Sequence, residues 1–220
     1  DLANDSAQYI DQVDVEIATG AALVVNNANA IETGNIDFRD IESVDLNSNA
    51  LTGTSGADVF DVSDANELTS SGIAFTNVAS VDAGNGDDQV KTNGGALVSE
   101  VQGTGTVAVD NALTTQQIAF TAVENMDLAN GTLTGSDAAD SFEVTATALT
   151  ANAINVTNAD SAIDAGTGDD AVTVNDANST LTTTDNALNT ANYQFTSIEL
   201  ADLNGNALTG TSGADTFAVT

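Results

Sequence analysis

Hydrophobic residues in this chain come singly and in step. In Ile36-Asp-Phe-Arg-Asp-Ile-Glu-Ser-Val-Asp45 the apolar positions advance by two and then by three. The phrase returns as Ile73-Ala-Phe-Thr-Asn-Val-Ala-Ser-Val-Asp82, as Ile118-Ala-Phe-Thr-Ala-Val-Glu-Asn-Met-Asp127 and as Tyr193-Gln-Phe-Thr-Ser-Ile-Glu-Leu-Ala-Asp202. A fifth copy, Ile154-Asn-Val-Thr-Asn-Ala-Asp-Ser-Ala-Ile-Asp164, has Val156 in the Phe place and one inserted residue. Steps of two mark the inward face of a strand, and the longer step marks a bend. Each copy therefore predicts a short strand, a corner and a second short strand.

A second phrase alternates with the first. Leu51-Thr-Gly-Thr-Ser-Gly-Ala-Asp-Val-Phe60 recurs as Leu133-Thr-Gly-Ser-Asp-Ala-Ala-Asp-Ser-Phe142 and Leu208-Thr-Gly-Thr-Ser-Gly-Ala-Asp-Thr-Phe217. All seven Phe fall at two repeat positions: Phe38, Phe75, Phe120 and Phe195 in one phrase, Phe60, Phe142 and Phe217 in the other. Stacked repeats would place such rings above one another as an interior ladder. Short strands rich in Val, Thr and Phe, such as Val59-Phe-Asp-Val62, Val172-Thr-Val174 and Thr106-Val-Ala-Val109, are punctuated by Gly, Asn and Asp, and no helix is predicted. Pro is absent, as suits a ladder that uses nearly every backbone N–H.

The larger unit spans 82 residues from Asp45 to Asp127 and again from Asp82 to Asp164, shortening to 75 from Asp127 to Asp202. Residues 1–220 read as one continuous array with boundaries near 45, 82, 127, 164 and 202. A train of β-sandwich domains, as in a tandem adhesin, has no reason to restate a phrase after about 40 residues. Stacked coils of about 20 residues do. The expected fold is all-β, a right-handed parallel β-solenoid built from half-repeats of about 40 residues. The start Asp1-Leu-Ala-Asn-Asp has neither an initiator Met nor a signal peptide, and reads as a segment of a longer protein.

Composition then narrows the function. Thirty-three Asp and Glu face only Arg39 and Lys91, a formal charge of −31. Such a field repels nucleic acid and anionic lipid, and most of its carboxylates must be neutralised by cations from outside the chain. Charged residues are nonetheless 16% of the chain and hydrophobic ones 41%, so the acid decorates a folded scaffold. Cys and His are both absent, which removes disulfides and the usual zinc and copper ligands and leaves oxygen. No apolar run approaches the roughly 20 residues of a membrane helix, so no membrane insertion is expected.

Carboxylates concentrate in glycine turns. Ala83-Gly-Asn-Gly-Asp-Asp-Gln-Val90 follows Asp82, and Ala165-Gly-Thr-Gly-Asp-Asp-Ala-Val172 follows Asp164. These turns are similar to the calcium nonapeptide of the RTX, or haemolysin-type, repeats, and Gly53-Thr-Ser-Gly-Ala-Asp58 and Gly210-Thr-Ser-Gly-Ala-Asp215 resemble it with Thr in a Gly place. Gly135-Ser-Asp-Ala-Ala-Asp140 departs further, with Ala138 replacing a glycine. The resemblance implies Ca2+ held by turn carbonyls and Asp carboxylates. It gives as candidate ligands and turn residues Gly84, Gly86, Asp87 and Asp88, then Gly166, Gly168, Asp169 and Asp170, with Asp58, Asp140 and Asp215. RTX repeats run in immediate tandem, whereas these motif aspartates are 30, 52, 30 and 45 residues apart. A second loop must complete any site. Asp45, Asp82, Asp127, Asp164 and Asp202, which end the first phrase, are the candidates for that help. The same turns can also be read without metal, as Asp capping its own backbone and Gly supplying positive φ.

Across nearly all of its length except roughly 92–112, the chain resembles repetitive surface and secreted proteins of bacteria. That resemblance implies an extracellular, calcium-stabilised rod: an adhesin, surface layer or self-assembling filament, with self-association or a cell-surface or matrix partner. An accessory module of a secreted, polysaccharide-acting RTX-type enzyme is the alternative. Catalysis by the segment itself is not expected, because the acids recur with the repeat and no pair stands apart. Thr180, Thr182, Thr183 and Thr184 suggest an ice-binding array, but they keep no regular coil spacing.

Overall fold

The computed structural model describes residues 12–14, 23–27, 30–33, 36–93, 98–104, 107–176, 181–184 and 187–210. Within them the chain contains strands and no helix, arranged as a β-solenoid of about 5 turns. Two sheets, of 12 and 14 strands, hold the core between them. The chain crosses from one to the other at every corner. Thus Ser43–Asp45 lies in the first sheet, Ala50–Thr52 in the second, Val59–Asp64 in the first and Ser80–Asp82 in the second.

Every copy of the first phrase forms the predicted strand, corner and strand. Ile73–Thr76 in the first sheet leads to Ser80–Asp82 in the second, and Ile118–Thr121 in the second leads to Asn125–Asp127 in the first. Successive copies therefore exchange sheets. The unit that repeats after 82 residues passes three times through each sheet, so one half-repeat carries the phrase to the other sheet and only the second returns it.

The coil differs from the expected one. Parallel partners such as Leu51 and Val81, or Phe60 and Val90, are 30 residues apart, and Val81 and Phe120 are 39 apart. The additional residues form three-stranded antiparallel meanders, one in each half-repeat. Val59–Asp64, Glu67–Ser70 and Ile73–Thr76 make one in the first sheet, and Val98–Thr104, Val107–Thr115 and Ile118–Thr121 the next in the second. Ser141–Val144, Leu149–Ala151 and Ile154–Thr157 return it to the first sheet. Two-residue turns with positive φ at both positions close them: Ser71-Gly72, Gln116-Gln117 and Asn152-Ala153. The backbone twist of such turns matches the right-handed twist of the flanking strands.

Phe residues are core, as the pattern predicts, but they do not stack on one another. Phe75 stands between Val44 and Leu68, Phe60 between Ser70 and Val90, and Phe120 between Val81 and Leu113. The rings meet across the core instead. Phe60 and Phe120, from opposite sheets, have centroids 6.1 Å apart, and Phe142 and Phe195 5.6 Å apart, both tilted. A meander reverses the chain between equivalent Phe positions, so aliphatic residues fill the ladder and the rings pair between sheets. Phe217 lies outside the described residues.

Candidate metal centre

All the described acid turns lie on the corner where the chain passes from the second sheet into the first, so folding aligns them along one edge. The turn 53–58 lies beside 83–88, and 135–140 beside 165–170. Their closeness is a main-chain matter. A Cβ on Gly84, where φ is +98°, would stand 2.5 Å from the Thr54 carbonyl oxygen, and one on Gly86 would stand 2.5 Å from that of Gly56 and 2.9 Å from Asp88 Oδ1. Gly166 and Gly168 meet the Ser136 and Ala138 carbonyls in the same way.

Within each pair the two aspartates do different work. Asp58 Oδ2 accepts from the backbone N–H and hydroxyl of Thr54 at 2.6 and 2.9 Å, closing its own turn. Asp140 does the same with Ser136, at 2.7 and 3.1 Å. Asp88 reaches back to the preceding coil, where Oδ1 accepts the Asp58 N–H at 2.8 Å; Asp170 accepts the Asp140 N–H at 2.7 Å. Both side chains are fully buried, at 0% exposure, and the second oxygen of each, Oδ2, has no hydrogen-bond partner.

A third acid completes each row. Glu124 Oε2 accepts the Asp88 N–H at 2.9 Å, and Glu199 Oε2 accepts the Asp170 N–H at 2.9 Å. Sequence reasoning did not single these out, although both occupy the Glu place of a Phe-x-x-Val/Ile-Glu phrase. Burial pushes the Asp88 and Asp170 carboxyls above the usual carboxylate range. The donated N–H of Asp58 or Asp140 opposes this. The charges of Asp58, Glu124 and Asp87 on one side, and Asp140, Glu199 and Asp169 on the other, add to the upward push.

The first-phrase aspartates divide by corner. Asp82 and Asp164 enter the acid edge, each accepting the N–H two residues on, from Gly84 and Gly166 at 3.2 Å. Asp45, Asp127 and Asp202 lie on the other corner line, away from the acid turns. They accept from the N–H of Asn47, Ala129 and Asn204, and Asp45 and Asp127 also accept the side chains of Asn77 and Asn158 from the neighbouring coil. Asp87 and Asp169 are exposed. Asp215 and Thr180 lie outside the described residues.

Among the described residues no three acid side chains converge so as to hold a metal by carboxylates alone. An ion at either turn pair would have to combine the free Asp oxygen with main-chain carbonyls, a mixture that suits a hard cation such as Ca2+. The unpartnered Oδ2 of Asp88 and of Asp170 is the feature that fits an ion. A buried carboxylate oxygen with no donor is costly to a fold, and a cation removes that cost.

The fold defines the class, a two-sheet β-solenoid interrupted by antiparallel meanders. No protein-family model matches the chain, and no curated protein or solved structure matches it either.

Proposed function

We propose that this chain is part of an extracellular structural or adhesive rod of a bacterial surface, stabilised by calcium at the stacked acid turns. The observation that carries the reading is the doubled one: Asp88 and Asp170, in equivalent turns, are each fully buried with one oxygen lacking a partner. Stacked coils supply rigid length without a separate core for each unit. Cations at the corner would relieve repulsion in a chain of net charge −31 and hold one coil in register on the next. Affinity on the order of 10⁻⁴ to 10⁻³ M, as in extracellular modules, would make the rod firm outside a cell and loose where calcium is scarce. No catalytic role is included, because the acids recur with the repeat as scaffold residues do.

The test is thermal melting in millimolar calcium and in chelator. At about 1 mM calcium and a Kd of about 10⁻⁴ to 10⁻³ M, an ion that binds only the folded state adds about 0.4–1.4 kcal/mol per site. Magnesium, which demands a tighter octahedral shell, should give less. A melting curve indifferent to chelator would overturn the calcium reading. It would favour the other reading that the hydrogen bonds support, in which Asp58, Asp88, Asp140 and Asp170 serve only as caps for backbone N–H groups.

A further inference from the structure

Between the two acid rows the edge carries no acid turn: the strands Ile154–Thr157 and Leu149–Ala151 of a meander intervene in the first sheet. The polar chain nevertheless continues across the gap. Asn111 Nδ2 donates to Glu124 Oε1 at 3.0 Å, and the Asn111 N–H donates to the Asn152 carbonyl at 3.0 Å. The Asn152 side chain then donates to Asp140 Oδ1, while its own Oδ1 accepts the Ser141 N–H at 2.9 Å. One unbroken line of hydrogen bonds thus runs Asp58, Asp88, Glu124, Asn111, Asn152, Asp140, Asp170, Glu199.

The two bridging residues are fixed in place. Asn152 is buried, and both adopt the left-handed conformation, with φ of 57° at Asn111 and 44° at Asn152, which Asn tolerates better than most residues. Each comes from a meander, one in either sheet. Glu124 uses its two oxygens for different neighbours, the Asp88 N–H and Asn111, so it cannot turn toward one without disturbing the other.

We propose that Asn111 and Asn152 are positioning residues that join the two acid turns into one cooperative unit, so that ordering one turn orders the other. An event at Asp170 orients Asp140, which holds Asn152, which holds Asn111 and through it Glu124 and Asp88. The second turn then binds without repeating the ordering cost already met at the first, which is positive coupling without a change of fold. Where the event is calcium binding, the inference rests on the function proposed above; the coupling itself does not.

Amide hydrogen exchange on the whole chain in chelator tests the coupling without metal. Asp170→Ala removes the acceptor of the Asp140 N–H, and exchange should rise there and at the distant Asp58 and Asp88 amides, by at least about fivefold at the far turn. In an Asn111→Gly background, which keeps the left-handed backbone and its N–H bond to Asn152 but deletes the side-chain bond to Glu124, the far turn should no longer respond. The milder Ser136→Ala, which removes one hydroxyl bond to Asp140, should give the same pattern at lower amplitude. Unchanged exchange at Asp58 and Asp88 overturns the proposal. So does a response that survives Asn111→Gly, or one equally large at Val81, since either would be general loosening. Calcium titration by calorimetry adds the second arm: one steep transition in the parent chain, becoming two independent ones in Asn111→Gly. Independent filling in the parent chain sinks the coupling, whereas an absence of binding heat sinks only the calcium reading and leaves the exchange result to decide.

Discussion

Asp88 places one carboxylate oxygen 2.8 Å from the backbone nitrogen of Asp58, 30 residues earlier, and keeps the other buried with no partner. Asp170 and Asp140 repeat the relationship at 2.7 Å, again 30 residues apart. One oxygen ties a coil to its predecessor through a charge-assisted bond. The other is left open, and it is the place where the proposed ion and a proton would compete.

Stability in chelator should fall as pH rises above 3.8 and through the raised pKa values of Asp88 and Asp170. Folding raises the pKa of Asp88 and Asp170 above 3.8, so through the window between that value and the raised one the folded chain holds more protons than the unfolded chain. Raising pH through the window therefore costs stability, and lowering it restores it. Asp88→Asn with Asp170→Asn keeps an oxygen for each donated N–H and removes both charges. Melting of this double variant in chelator should be less dependent on pH, and the increment due to calcium should disappear. A slope equal to that of the parent chain would show that other carboxylates govern the pH response.

Two glycines of neighbouring turns should respond very differently to one added methyl group. Gly84→Ala forces a side chain into a left-handed φ of +98° and to within 2.5 Å of a carbonyl oxygen, a loss of about 1–3 kcal/mol or more. Gly56→Ala meets nothing nearer than the Thr54 hydroxyl at 3.7 Å and should be close to neutral. Chemical denaturation of the two variants gives the comparison.

Ser70 and Ser99 are buried with hydroxyls that have no partner. Ser70 faces Phe60 across the hairpin, and in the equivalent pair Phe142 faces Ala151, so the fold already accepts Ala there. Ser70→Ala and Ser99→Ala should each leave stability unchanged or raise it by about 1 kcal/mol, because an unsatisfied buried hydroxyl is removed. A loss above about 1 kcal/mol in urea denaturation would point to a bound water on the hydroxyl.

Phe60→Ala should cost about 3–5 kcal/mol, from lost burial and the cavity left against Phe120. Phe60→Leu should cost much less, since it keeps most of the volume. Equal losses in the two denaturation midpoints would mean that the tilted pairing of the rings matters more than their bulk.

Much of this was legible in the residues, because it depends on spacing along the chain. Alternation at Ile73, Phe75, Val78 and Val81 specifies a strand, a bend and a strand, since strand side chains change face at every residue. The glycine turns were likewise visible. The meanders were not. Their reversals use Gln116-Gln117 and Asn152-Ala153, which carry none of the Asn-Gly or Asp-Gly signal of a two-residue hairpin; Ser71-Gly72 comes nearer. Each reversal also sets its flanking buried residues three apart, Ser70 and Ile73, Thr115 and Ile118, Ala151 and Ile154, the same step that a corner makes from Phe75 to Val78, so a reversal and a corner present the same pattern.

The sequence by itself determined which residues face inward, where the chain turns, and that acids recur at those turns, because each follows from local geometry and from a repeat that restates itself. Only the tertiary structure decided which turn lies beside which. The meanders set the offset between coils, and that offset brings Asp58 to Asp88 and Asp140 to Asp170, recruits Glu124 and Glu199, and leaves Asp45, Asp127 and Asp202 on the other corner line. Such neighbours are 29 to 36 residues apart along the chain. Their meeting is fixed by strand register, a property of the assembled sheets that no short phrase contains.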